Sequence, residues 1–111
     1  AYRRYRSGRR GFKVMEVVQY LKKHNVPITS VGFRYLTEAI KMTVKDGTLP
    51  YHMYKLYKPI AKEHTTTTAN VERCIRYAIS KSDMKEHTNC QFIIEASIQC
   101  RKKVRKPKKS L

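Results

Sequence analysis

The residues best suited to chemistry lie between positions 70 and 77, where two arginines, a glutamate, an asparagine and a tyrosine occur within about two helical turns. On a helix, Asn70, Arg73, Arg76 and Tyr77 share one side, and Glu72 lies adjacent. Arginine can bond O6 and N7 of guanine together, and glutamate can accept from N4 of cytosine. The set Glu72, Arg73 and Arg76 therefore has the groups needed to read base edges in the DNA major groove. The alternative is a solvated helix face on which Glu72 and Arg76 form an i,i+4 ion pair.

No other group of residues has the spacing of a catalytic or metal site. The four histidines share no metal-ligand spacing, and the sequence has no nucleophile–base pair, glycine-rich phosphate loop or paired carboxylates. The three cysteines contain no CxxC pair, and their odd number does not suggest a disulfide framework. We therefore predict a protein that is not an enzyme and that requires no cofactor or metal.

Apolar residues at helical spacing predict the elements that must position the cluster. Stripes with a period near 3.6 residues predict helices over about 13–25, 31–45, 51–64, 68–81 and 89–103. Thr29 and Ser30 are candidate N-caps of the second helix, Thr67 is the candidate for the fourth, and Gly47 is placed to end the second helix. Strand-like alternation does not persist. The predicted fold is all-α, a compact domain of about five helices.

The third predicted helix contains a proline and three regularly spaced tyrosines. Pro59 lacks a backbone donor and is expected to kink the helix or split it in two. Tyr51, Tyr54 and Tyr57 follow helical spacing, which favours packing roles over base stacking.

The stretch 53–81 has the arrangement of a helix-turn-helix. Ala61, a small residue beside an isoleucine, would allow two helices to cross closely, and Val71 would pack back onto the first helix. A turn within residues 65–68 joins the two. Such turns place a residue with positive φ after the first helix, and this chain offers His64 or Thr65, where a β-branched residue would be strained.

Most of the excess charge lies at the two ends of the chain. The net charge of the chain is +17. Residues 1–13 contain six basic residues and residues 101–111 contain seven, with no acidic residue in either segment, whereas the net charge of residues 14–100 is only +4. We predict a basic arm at 1–13, a helical domain at 14–103 and a basic tail at 104–111. Basic ends contact phosphates without reading sequence. The candidate supporting or phosphate contacts are Arg3, Arg4, Arg6, Lys62, Thr67, Asn70, Tyr77, Lys102 and Lys103.

Two other functions fit the size and charge of the chain. One is a small structural RNA-binding protein of the ribosomal type, which Glu72 on a basic helix disfavours because RNA presents a phosphate surface. The other is a protein–protein adaptor whose arms bind acidic partners. The sequence contains neither a signal peptide nor an apolar run of the roughly 18 residues that a membrane span needs, and no small-molecule ligand is indicated. We therefore expect a cytoplasmic, nucleoid-associated protein.

Three segments resemble a known family. The run LYKPIAKEHTTTTANVERCIRYAI, residues 56–79, resembles the C-terminal effector domain of the stage-zero sporulation response regulator, the master transcription factor of endospore formers. Residues 32–40 (GFRYLTEAI) and 88–93 (TNCQFI) resemble its second helix and the start of its last, so the likeness covers about 14–103. The resemblance implies a transcription regulator whose VER-x-IR helix lies in the major groove. There Arg73 and Arg76 would read guanines and Glu72 a cytosine, in a box containing GTCGA.

The chain also departs from the family pattern. Asn70 replaces an arginine, Tyr77 replaces a histidine, and Ala69 replaces a serine that can contact phosphate. These three differences affect the contacts expected with the DNA backbone and with the bases that flank the box. The connector at 82–88 is shorter than in the family, where a further helix and a long loop contribute to contacts between tandem copies. This difference argues against tandem pairing of that kind. Duplex DNA is the implied partner, and the transcription machinery is a further one.

Overall fold

The computed structural model describes the backbone of residues 8–109 and the side chains of residues 16–101. Over these residues the chain forms five α-helices, one short 3-10 helix and no strand, which confirms the all-α prediction. The helices are α1 (Gly8–Lys23), α2 (Val31–Lys45), α3 (Met53–Glu63), α4 (Thr68–Ser80) and α5 (Asn89–Lys109), with the 3-10 helix at Leu49–Tyr51.

Helix α1 has different ends from those predicted. It begins at Gly8, inside the segment assigned to the basic arm. It ends in a turn at Asn25, whose φ is 63°, and across this turn the amide of Val26 donates to the carbonyl of Leu21 at 3.0 Å. Asparagine tolerates this left-handed conformation. The residue before a proline is disfavoured in a helix, so Pro27 predicts that the helix stops by Val26; the turn at Asn25 ends it earlier.

Helix α2 has the predicted bounds but an unexpected C-terminal cap. At its start, the amide of Phe33 donates to Oγ of Ser30 at 3.2 Å, so Ser30 is the N-cap. At its end, Asp46 is the capping residue, and its carboxylate accepts from the amide and hydroxyl of Thr48 at 3.0 and 2.6 Å. These hydrogen bonds hold the pKa of Asp46 below its usual value. The glycine cap predicted at Gly47 is wrong, because φ of Gly47 is not positive and the Asp46 side chain closes the turn.

The segment before the helix-turn-helix is divided differently from the prediction. Pro50 lies in the 3-10 helix, and α3 begins only at Met53. Helix α3 continues through Pro59, so the chain is not split there. Pro59 is exposed, and the carbonyl that it leaves without an amide donor, that of Lys55, faces the same solvated side.

Of the three regularly spaced tyrosines, only Tyr57 is a packing residue. It is 4% exposed, whereas Tyr51 and Tyr54 are 72% and 63% exposed. Tyr51 belongs to the 3-10 helix, so the helical spacing does not extend to it. The ring of Tyr54 lies outside the core, with Nζ of Lys58 5.5 Å from its centroid. The packing prediction is therefore wrong for Tyr51 and Tyr54.

Helix α5 begins with a reciprocal cap. The amide of Gln91 donates to Oγ1 of Thr88 at 3.1 Å, and the amide of Thr88 donates to Oε1 of Gln91 at 2.9 Å. This is the arrangement of a capping box. The preceding connector, residues 82–88, consists of turns, and α5 extends to Lys109, beyond the predicted end near 103.

Helix α2 is central, because it packs against all four other α-helices. Burial of each large apolar side chain stabilises the fold by about 1.5–3 kcal/mol. Over the residues described, no helix has the length and apolarity needed to cross a bilayer. The largest fully buried apolar residues are Val17, Leu21, Leu36, Ile40, Leu56, Ile60, Val71, Ile75, Ile79, Phe92 and Ile93.

Candidate nucleic-acid interface

Helices α3 and α4 meet where the sequence predicted. Ala61 and Val71 are 5% and 0% exposed. The amide of Thr66 donates to the carbonyl of Ala61 at 2.8 Å, and the amide of Thr65 donates to that of Lys62 at 3.3 Å. This paired pattern ends a helix through a left-handed residue, here Thr65, with φ of 53°. The positive φ therefore falls on a β-branched residue, at a position that the sequence predicted to be strained.

Helix α4 begins at the predicted cap. Oγ1 of Thr67 accepts from the amide of Asn70 at 3.0 Å, and Thr67 has extended backbone angles. An N-cap of this kind satisfies one of the free amides of the first turn. Val71, Ile75, Ala78 and Ile79 form the buried face.

A glycine in α2 allows α2 and α4 to pack with their backbones in contact, which fixes the distance between the two helices. Gly32, in the first turn of α2, is buried against the backbone of α4. A Cβ atom at Gly32 would collide with the carbonyl oxygen of Cys74 and lie 2.8 Å from Cβ of Ala78. Only glycine fits between the two helices at this distance, because it lacks that atom.

The outer face of α4 brings together three of the predicted DNA-contacting side chains. Arg73 and Arg76 are exposed, and Tyr77 is 56% exposed. Nζ of Lys81 lies 5.4 Å from the centroid of the Tyr77 ring. The face therefore presents two exposed guanidinium groups and an aromatic ring with a lysine beside it, which suits contact with a polyanion.

Glu72 lies beside this face, paired with Arg76. Nη2 of Arg76 donates to Oε1 of Glu72 at 2.8 Å, and the two side chains are 45% (Glu72) and 60% (Arg76) exposed. The i,i+4 pair considered from the sequence is thus present. An exposed pair of this kind stabilises a helix by only about 0.2–0.5 kcal/mol. Both groups therefore remain available to a partner that offers stronger hydrogen bonds.

Asn70 lies differently from the other polar residues of α4. It is half-buried, its Nδ2 donates to Oγ1 of Thr66 at 3.0 Å, and its Oδ1 accepts from Sγ of Cys74 at 3.8 Å. The side chain thus links the turn to α4. A contact from Asn70 to DNA would have to compete with these two hydrogen bonds.

The remaining predicted contacts are distributed around this face and at the chain ends. Lys62, in the last turn of α3, and Thr67 are exposed at the turn. Lys102 and Lys103 belong to α5, but their side chains lie outside the described residues. Arg3, Arg4 and Arg6 lie outside the described residues altogether.

One polar contact beneath α4 was missed by sequence reasoning. Nδ2 of Asn89, the first residue of α5, donates at 3.1 Å to Oη of Tyr57 and at 3.1 Å to the backbone carbonyl of Glu72. Burial raises the pKa of Tyr57 to about 12, so its phenol is protonated at neutral pH. The only sequence signal was an asparagine at a helix start, which is common for reasons of capping alone.

Comparison with known families agrees with this geometry. Residues 17–110 match the family described as "Sporulation initiation factor Spo0A C terminal". The match covers all of the helix-turn-helix, together with α2, α5 and the C-terminal part of α1. Members of this family are regulatory DNA-binding domains, not enzymes, and DNA is their partner. The chain therefore belongs to the Spo0A C-terminal family, as a helical DNA-binding effector domain of the sporulation response regulators.

Proposed function

We propose that the chain regulates transcription by binding a specific duplex DNA sequence with α4 in the major groove. The observation that carries this proposal is the exposure of Glu72, Arg73 and Arg76 on the second helix of a helix-turn-helix. The opposite face of that helix is fully buried, so these side chains lie on the solvent-facing side of α4. Each good bidentate base contact gives about 1–3 kcal/mol of discrimination.

The base assignments rest on the resemblance to the family. Arg73 and Arg76 would each bond a guanine, and Glu72 would accept from a cytosine, in a box containing GTCGA. In the free protein Glu72 and Arg76 are paired with each other, so base reading would require this weak, exposed pair to exchange its hydrogen bonds for bonds to bases.

Backbone contacts would surround this centre. Lys62 and Thr67 lie at the turn before α4, where side chains of a helix-turn-helix approach the phosphates. Tyr77 would contact the backbone or a flanking base, and Asn70 would do so only by exchanging its internal hydrogen bonds. Arg3, Arg4, Arg6, Lys102 and Lys103 would add affinity that does not depend on sequence. The protein would act on chromosomal DNA in the cytoplasm, in contact with the transcription machinery.

Selection of bound sequences from a random duplex library tests the proposal. We expect one enriched box, and we expect Arg73→Ala and Arg76→Ala to lower affinity for it while nonspecific binding persists. Lys45→Ala is the control, because Lys45 is exposed at the other end of α2, about 20 Å along that helix from the contact at Gly32. It removes the same charge without altering α4.

Two outcomes would contradict the proposal. One is the absence of any enriched sequence. The other is normal binding of the selected box by both arginine variants. Competition with structured RNA at physiological salt addresses the ribosomal alternative, since a structural RNA-binding protein would be displaced from DNA by the RNA. An adaptor would bind DNA no better than the free arm peptides.

A further inference from the structure

We infer that Asn89 is a positioning residue for DNA reading, which fixes α4 at the level of Glu72 so that its side chains reach base edges. This inference rests on the proposed function. It assigns a role in sequence discrimination to a residue that does not lie on the outer face of α4.

The geometry of Asn89 uses both of its amide hydrogens. A side-chain amide nitrogen carries two donors, and here one is directed to Oη of Tyr57 and the other to the carbonyl of Glu72, each at 3.1 Å. The three residues belong to α5, α3 and α4. One side chain thus joins both helices of the helix-turn-helix to a third helix.

Asn89 and its partner Tyr57 are each held by contacts outside α4. Tyr57 is 4% exposed, and the capping box of Thr88 and Gln91 orders the first turn of α5. Next to Asn89, Sγ of Cys90 donates to the carbonyl of Pro50 at 3.4 Å. These contacts hold Asn89 through α5 and the 3-10 helix, so its position does not depend on α4.

The point of attachment on α4 is the residue that would read a base. Apolar packing through Val71 and Ile75 resists separation of the helices, but it is not directional and tolerates small slides and rotations. A hydrogen bond to the Glu72 carbonyl is directional, so it fixes rotation about the helix axis. Base contacts require this precision, because a shift of about 1 Å misplaces a bidentate pair.

Asn89→Ala and Asn89→Asp test the inference, with the box selected from the random library and a scrambled duplex as probes. Alanine removes both hydrogen bonds. Aspartate keeps the shape but cannot donate to the Glu72 carbonyl. For each folded variant we expect the affinity ratio between the two duplexes to fall at least about fivefold, the lower end of what one bidentate contact provides. Affinity for the scrambled duplex should be unchanged in Asn89→Ala. In Asn89→Asp the added negative charge should weaken binding to both duplexes about equally, so the ratio is the quantity compared.

Ser97→Ala is the matched control. It removes a side-chain hydrogen bond of the same helix, that from Oγ of the buried Ser97 to the carbonyl of Ile94, about two turns away from Asn89. It should lower stability without altering the affinity ratio, which separates positioning from general loosening. Tyr57→Phe is a second test if the Asn89 variants fold poorly, since it removes one acceptor of Asn89 and leaves the bond to the Glu72 carbonyl. It should lower the affinity ratio by less than about fivefold, and an unchanged ratio would contradict the inference.

The outcomes distinguish this inference from the proposed function. If the unaltered protein shows no preference for any duplex, the proposed function fails, and Asn89 has no specificity to support. If the protein prefers its box and the folded Asn89 variants keep the full affinity ratio, the positioning role is wrong. The same conclusion follows if Tyr57→Phe impairs discrimination more than Asn89→Ala. Faster amide exchange at Arg76, whose amide faces the Glu72 carbonyl within α4, would accompany the expected loss.

Discussion

Nε2 of His64, at the end of α3, lies 2.7 Å from Oε2 of Glu38 in α2. The ring of Tyr35, also in α2, packs against the imidazole with centroids 5.1 Å apart. These contacts hold the residue that directly precedes Thr65 and its φ of 53°. The turn of the helix-turn-helix is thus fixed by tertiary contacts, and they sustain a backbone conformation that threonine disfavours.

Thr65→Gly is therefore expected to stabilise the fold. The left-handed conformation destabilises a residue that has a Cβ by about 1–2 kcal/mol, and glycine avoids this cost. Glycine also loses more conformational entropy on folding, which offsets about 0.5–1 kcal/mol of the gain. We expect a net gain of about 0.5–1 kcal/mol in the free energy of unfolding, measured by urea denaturation. Asn25→Ala, at the other left-handed turn, should have the opposite effect. A loss of stability in Thr65→Gly would show that the turn carries no strain.

Gly32→Ala should destabilise the protein by about 1–3 kcal/mol, because the added methyl group would force α2 and α4 apart. This loss should outweigh the gain of up to about 1 kcal/mol that alanine brings to a helix. Gly47→Ala is the matched control, since its added Cβ would meet only a guanidinium nitrogen of Arg101, at 3.5 Å. Thermal unfolding of the two variants measures the difference, and equal midpoints would contradict the close approach.

Glu72→Gln separates the ion pair from base reading. Loss of the exposed pair with Arg76 should change the free energy of unfolding by less than about 0.5 kcal/mol. If the carboxylate reads cytosine, the sequence selected from a random library should change at one position and keep its guanines. An unchanged selected sequence would leave Glu72 as a surface ion-pair partner only.

The basic arm should contribute affinity without specificity. Replacing Arg3, Arg4 and Arg6 with alanine should weaken binding to the selected and scrambled duplexes equally. The slope of log affinity against log salt should become shallower by about 0.9 for each phosphate that the arm no longer neutralises. Fluorescence anisotropy at several salt concentrations measures both quantities. A weaker affinity for the selected duplex alone would mean that the arm reads sequence.

Stability should fall at alkaline pH through two buried tyrosines. Burial raises the pKa of Tyr57 and of Tyr20 to about 12, whereas an unfolded tyrosine ionises near 10. Between about pH 10 and 12 the unfolded state releases protons that the folded state retains, so stability decreases by up to about 1.4 kcal/mol per pH unit for each tyrosine. Below pH 10 this contribution is fully present. Urea midpoints across this range should fall less steeply for Tyr20→Phe, and an unaltered slope would contradict the assignment.

The sequence alone determined the elements whose signals are local. The apolar spacing along residues 68–81 predicted α4, and Thr67 marked its start, because helical periodicity and capping depend only on neighbours within about four residues. Chain patterning also predicted a left-handed residue at His64 or Thr65, and the structure places it at Thr65. The VER-x-IR run carried the family resemblance, which the match over residues 17–110 confirmed.

Only the tertiary structure decided which polar groups face inward. Local spacing treated Tyr51, Tyr54 and Tyr57 alike, yet only Tyr57 is buried. Asn89 is 17 residues from Glu72 in the chain but donates to its carbonyl. Burial and long-range hydrogen bonding depend on how separate helices pack, and a pattern within one helix cannot specify which neighbour covers it. For this reason the sequence named the side chains that would read DNA, whereas the packing of α2, α3 and α5 fixed where they lie.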